Sequence, residues 1–312
     1  MSRAVILAAI MAALVALSSG AGATTRGIDM ERIAADLPVI DGSTSTRPLR
    51  TLIVCEILDV TCDWQELFDG SRRLLPPLDA PMELFDTAVP SSGTHGSYVA
   101  LAEGDADLIV AARMPTDDEV GLAGSNGVEF EIAPIALDAF VFLVNAANPV
   151  EGLGLGEVRD IFSGAITDWA EVGGDARPIQ PYQRNETSGS QVLMERLVMR
   201  GTPMVDAPDL MLMSMAAPFD AISSDPDGMG YSVYYYAIHM LATDAISLLG
   251  IEGSEPGPTT ITSGEYPLVT EVYAVLPSGT PQDDTARLLR DWLVTGAGRS
   301  VIEESGYVPL PS

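Results

Sequence analysis

The sequence predicts an α/β fold. Three observations carry that expectation. Short apolar runs, such as residues 108–112 and 140–144, read as buried strands. Helix-patterned stretches alternate with them along the chain. Loops rich in glycine and hydroxyls stand where a strand would hand over to a helix. The 312 residues and 47% hydrophobic content suffice for one large core or two ordinary ones. At 19% charged residues, a disordered chain is disfavoured.

The elements follow in order. Residues 1–23 read as a secretory signal. Arg3 supplies a short positive region, residues 4–17 are continuously apolar, and Ala21-Gly22-Ala23 fits the small-x-small cleavage rule. The apolar run is short for a membrane span, and no cysteine stands at the cleavage site to take a lipid. A strand at 37–40 ends at Asp41-Gly42, and Pro48 suits the first turn of a helix over 49–58. Cys55 and Cys62 are the only cysteines, and in an exported chain they are expected to form a local disulfide.

The pattern breaks at Pro76-Pro77. The loop 91–97 opens a helix-like segment over 98–103. Strand 107–112 leads to Arg113 at its carboxyl end, where open α/β sheets bind ligands. Residues 132–144 are strongly apolar and contain a buried strand at 140–144. A helix at 156–162, a short strand at 179–182 and a helix at 191–199 come next. Residues 229–236 read as a strand or a strand-to-helix junction. A surface loop at 253–264 precedes a strand at 268–276, an amphipathic helix at 286–293 and a final helix after Gly296-Ala297-Gly298.

The chain carries 44 acidic and 16 basic residues, a formal charge of −28, and every cation is arginine. That field repels phosphate backbones and anionic lipid, so no nucleic-acid or membrane-surface partner is expected. Two stretches run against it: Arg184-Asn185-Glu186-Thr187-Ser188-Gly189-Ser190-Gln191 and Asp41-Gly42-Ser43-Thr44-Ser45-Thr46-Arg47-Pro48. Both lead into helix-patterned sequence, and a helix start presents unpaired N–H groups and partial positive charge. Arg184 adds a planar fork of donors suited to a tetrahedral oxyanion. Ser91-Ser92-Gly93-Thr94 repeats the theme, with His95 as a further donor. For each loop the ordinary reading is a helix cap with solvated side chains. His239 reads as structural. No G-x-S-x-G, dinucleotide fingerprint or metal-ligand cluster is present, so neither catalytic residues, cofactor nor metal is expected.

Taken together, the loop R-x-x-x-S-G-S, the stretch G-S-T-S-T-x-P, the run Ile161-Phe162-Ser163-Gly164-Ala165-Ile166-Thr167-Asp168-Trp169, Gly230-Tyr231-Ser232 and the ending Gly306-Tyr307-Val308-Pro309-Leu310 resemble the periplasmic phosphate-type solute-binding proteins of ABC importers. The resemblance covers essentially the whole mature chain. It implies a two-lobed periplasmic-binding-protein (type 2) fold with two crossing strands, near 140–145 and 266–274. Lobe I would be 24–140 with 268–312, and lobe II 141–267. It implies that Thr44, Ser45, Thr46, Ser91, Ser92, Gly93, Arg184, Ser188, Gly189 and Ser190 hold the ligand, to which our own reading adds His95 and Arg113. The expected function is capture of phosphate or a related small oxyanion by a monomer outside the cytoplasm, periplasmic or secreted, for an ABC permease. One departure stands out. Where phosphate receptors often carry an Asp or Ser near the ligand, this chain has Val110-Ala111-Ala112-Arg113. Arg113 would favour a more charged or carboxylate-bearing ligand. An envelope anion sensor or interaction protein and a phosphate-ester hydrolase are the alternatives.

Overall fold

One strand organises the molecule. In the computed structural model, which describes residues 28–67 and 70–311, Phe130–Asn145 runs as a single sixteen-residue strand. From Ile135 to Val144 every residue is buried, which is why the run is almost continuously apolar. The signal expected at 1–23 lies outside the described residues.

Eight strands join in one sheet. Along its main path the order is Ile40–Gly42, Leu108–Ala111, Val269–Pro277, Phe130–Asn145, Gly228–Val233 and Gln180–Pro181. The first two are parallel, as are the last two. Val269–Pro277 is antiparallel to both its neighbours. The long strand changes partners midway. Its residues up to Ala139 pair with Val269–Pro277, whereas Phe140 to Val144 pair with Gly228–Val233. Ile246–Leu248 and the C-terminal Val308–Pro309 also pair with it. This is the α/β, two-lobed architecture expected. Where the long strand enters the second half of the sheet, Phe140, Phe142, Phe162 and Tyr231 form a ring cluster with centroids 5.5–6.2 Å apart.

Several local expectations shift. The first strand is Ile40–Gly42 rather than 37–40. The helix expected from 98 is Gly93–Glu103, so it absorbs the end of the hydroxyl-rich loop into its first turn. Residues 253–264 are not all loop: Pro258–Ser263 is a short helix, started by Pro258 and ended by left-handed Gly264. The helix after Arg184 is Gly189–Leu193 and continues as a π-helix, Met194–Met199. The hairpin Asp63–Glu66 with Arg72–Leu75 and the helices Met82–Ala88 and Asp117–Ser125 were not anticipated by periodicity. Cys55 and Cys62 are bonded, with Cα atoms 6.2 Å apart, tying the end of helix Arg47–Leu58 to the hairpin that follows. No helix among the described residues is long and apolar enough to cross a membrane.

Candidate functional site

Three hydroxyl-rich loops, from distant parts of the chain, face one cavity of about 580 Å³. Its walls include Ser43, Thr44 and Ser45 from the first loop. Ser91, Ser92, Gly93, Thr94 and His95 come from the second. Arg184, Ser188, Gly189 and Ser190 come from the third.

The first loop is held rigidly. At Gly42 a Cβ would stand 2.1 Å from the Val110 carbonyl oxygen, so only glycine permits this approach of the two parallel strands. The chain then turns through Thr44–Thr46 directly into helix Arg47–Leu58. Ser43 Oγ accepts the Ala112 N–H at 2.9 Å and shares a hydrogen bond with Thr94 Oγ1 at 2.8 Å, stitching the first loop to the second. Beneath lies Arg50, fully buried, donating to the carbonyls of Ile40 at 3.0 Å and Ser43 at 3.2 Å. Burial lowers its guanidinium to about 10, against the opposing charge of Asp41. Asp41 in turn accepts the N–H groups of Gly42 at 2.7 Å and Ser92 at 3.2 Å.

The second and third loops meet face to face. A Cβ on Gly189 would lie 2.5 Å from Thr94 Oγ1, so the glycine is needed for this contact. Ser92 and Ser188 occupy the N-cap positions of their helices, yet neither side chain caps. Among the described residues, the hydroxyls of Thr44, Ser91, Ser92 and Ser188 make no hydrogen bond to protein, although all line the cavity. That is the reverse of an ordinary cap.

Arg184 is the one arginine of the cavity wall among the described residues. It is 6% exposed. Nε donates to the Leu212 carbonyl at 3.0 Å, and Nη1 lies 3.5 Å from Met215 Sδ. No carboxylate pairs with it among the described residues, and burial lowers its pKa. Its backbone N–H is held by the Tyr231 hydroxyl at 3.0 Å. Among the described residues, no Asp or Glu lines the cavity. A wall with a buried guanidinium, several unspent hydroxyls and no carboxylate among the described residues is chemically a receptor for a small anion.

The family described as the PBP superfamily domain matches residues 80–296. The chain belongs to that family. SphX of Synechococcus elongatus is 24% identical over 93% of this chain and 88% of its own length. The phosphate-binding protein PstS of Pseudomonas aeruginosa is 24% identical over 97% of this chain and 95% of its own. Among solved structures, a phosphate-bound substrate-binding protein from Clostridium perfringens superposes with a TM-score of 0.63 at 20% identity, covering 87% of this chain and 98% of that one. An ABC-type phosphate transport receptor from Vibrio cholerae gives 0.61 at 21% identity, covering 87% and 99%. These structures share the fold.

Within this PBP-superfamily chain, two of the residues expected at the ligand stand elsewhere. Thr46 is fully buried, with its hydroxyl 2.7 Å from the Val110 carbonyl, and accepts from Arg50 Nε at 3.3 Å. It anchors the loop rather than facing the cavity. Arg113 is also turned away. Its guanidinium grips both carboxylate oxygens of Glu119 at 2.8 Å, donates to the Met114 carbonyl at 2.9 Å and lies over the Tyr98 ring. The reason is local. Glu119 is the third residue of helix Asp117–Ser125 and forms a capping box with Thr116, which delivers its carboxylate to Arg113. The T-x-x-E spacing was readable in the sequence. The influence of Arg113 on ligand charge is therefore neutralised by Glu119. His95 does line the cavity, with Nδ1 3.0 Å from the same Glu119. Sequence reasoning missed Ser43, Thr94 and Met215 as wall residues. The first two lay within motifs already singled out and Met215 carried no signal; Tyr236, from the tyrosine-rich run 231–236 whose rings could line a cleft, also stands in the wall.

Proposed function

We propose that this chain is an extracytoplasmic solute-binding protein that captures phosphate or a closely related oxyanion and presents it to an ABC permease. The observation that carries the reading is Arg184, a buried guanidinium without a carboxylate partner among the described residues, facing unspent hydroxyls across one cavity. The names of the relatives, phosphate-binding proteins at about the same length, support it. The oxyanion is held by Thr44, Ser45, Ser91, Ser92, Gly93, Arg184, Ser188, Gly189 and Ser190, with His95 at the rim; Thr46 and Arg113 support the site from behind. Lobe I comprises 24–140 and 268–312, and lobe II 141–267. Ligand touching both halves shifts the open–closed equilibrium toward closure, which the permease reads. The chain binds without turnover, after removal of residues 1–23 on export.

Calorimetry of the purified protein with inorganic phosphate tests the reading. Arg184→Ala should cost about 2–5 kcal/mol of binding, as expected for removing one partner of a desolvated, charge-assisted contact. Unchanged affinity in a folded Arg184→Ala protein would remove the oxyanion from this cleft.

A further inference from the structure

Resting on that reading, we propose that the ligand of this site is an organic phosphate, a phosphomonoester or phosphonate with a compact, largely apolar substituent, rather than the bare ion. A second cavity of about 240 Å³ adjoins the first. Thr44, Ser91, Ala216 and Tyr236 belong to the walls of both, so the two cavities share part of their lining. The chamber is close in size to the lower end of small-molecule sites, about 300 Å³.

Its lining differs in kind from the hydroxyl-rich cleft. Leu74, Phe85, Val89 and Met240 are buried residues that give it an apolar wall. A tetrahedral oxyanion makes no use of such a surface, whereas a hydrocarbon group gains from it in proportion to the area covered. Arg47, Arg72 and Arg73 stand around the same chamber. None has an ion-pair partner among the described residues, and the Arg72 guanidinium rests over the Trp64 ring at 5.2 Å. Asp86 and Asp220 also face it, so the rim is mixed in sign with cations in excess. In a chain of net charge −28, three unpaired arginines beside an anion cleft draw an anionic molecule toward the mouth. The phosphoryl oxygens then meet Arg184 and the serines, and the ester-linked group enters the chamber at the Thr44–Ser91 junction.

The experiment compares inorganic phosphate with phenyl phosphate by calorimetry on the full protein and two variants. Met82→Trp narrows the chamber from its partly exposed wall, and Arg73→Ala removes an exposed rim cation. Wild type should bind phenyl phosphate about tenfold more tightly than phosphate, or better, as burial of even part of a ring provides. Met82→Trp should abolish that preference while leaving phosphate affinity unchanged. Arg73→Ala, which has little reason to disturb folding, should weaken the ester more than the ion. Phosphate binding with equal or greater affinity than the ester in wild type, or an ester preference untouched by both variants, would overturn the inference and leave the oxyanion site standing. Failure of both compounds to bind would overturn the oxyanion reading with it.

Discussion

Asp138 offers a sharp quantitative prediction. It sits in the middle of the long strand and is 2% exposed. Oδ1 accepts the N–H groups of Ala139 at 2.8 Å and Tyr235 at 3.0 Å, while Oδ2 is buried without a hydrogen-bond partner. Burial therefore pushes the carboxyl up to about 7, and the two N–H groups offset only part of that cost. The folded chain holds this proton more tightly than the unfolded one. The group's contribution to stability is thus fully present below its unfolded value of 3.8 and is lost as pH rises through about 7. At roughly 1.36 kcal/mol per unit, the loss is about 4 kcal/mol.

Asp138→Asn keeps the oxygen that accepts both N–H groups and cannot ionise. Its buried amide introduces a cost that is constant with pH. Urea unfolding across this window should show the difference between variant and wild type moving by about 4 kcal/mol in the variant's favour as pH rises. Parallel profiles for the two proteins, or a carboxyl that titrates near 4 by NMR, would refute the reasoning.

Two further outcomes are expected. Glu119→Ala leaves Arg113, only 3% exposed, without its counter-charge, and should cost about 3–5 kcal/mol in denaturant unfolding. In the wild type, burial pushes Glu119 up but the hydrogen bonds and charge of Arg113 outweigh it, so its pKa is lowered. Its stabilisation is present above the unfolded value and is lost as pH falls through the folded one, so the penalty of the variant should shrink in acid. Gly189→Ala places a methyl group 2.5 Å from Thr94 Oγ1 and must push the second and third loops apart. Phosphate affinity measured by calorimetry should fall about tenfold, near 1.4 kcal/mol, with a far smaller change in melting temperature.

Much of this molecule was legible because its chemistry is local in the chain. Leu108–Ala111 and Phe140 to Val144 are apolar on both faces, and a run of that kind has few homes other than the interior of a sheet. The hydroxyl loops stood out because their residues exceed what capping requires, and the cleft collects all three. What was not legible depends on contacts across the fold. Whether Arg113 faces a ligand is decided by Glu119 on the next helix, and whether Thr46 does is decided by the Val110 carbonyl on a neighbouring strand. The hairpin with Arg72–Leu75 has an exposed, charged face, so periodicity carried little signal there. Met215 reaches Arg184 from a loop whose sequence says nothing of where it lies.

The placement of Val269–Pro277 bears on how the molecule is born. This strand lies between Leu108–Ala111 and Phe130–Asn145, although 123 residues separate Asn145 from Val269 in the chain. Until it has been synthesised, Leu108–Ala111 and residues 130–139 lack the strand that stands between them in the sheet. Pairing so distant in sequence is slow to form and is rewarded only at the end. Shortening the chain before Val269 would leave a protein without the middle of its sheet, whereas trimming beyond Pro309 would spare every strand.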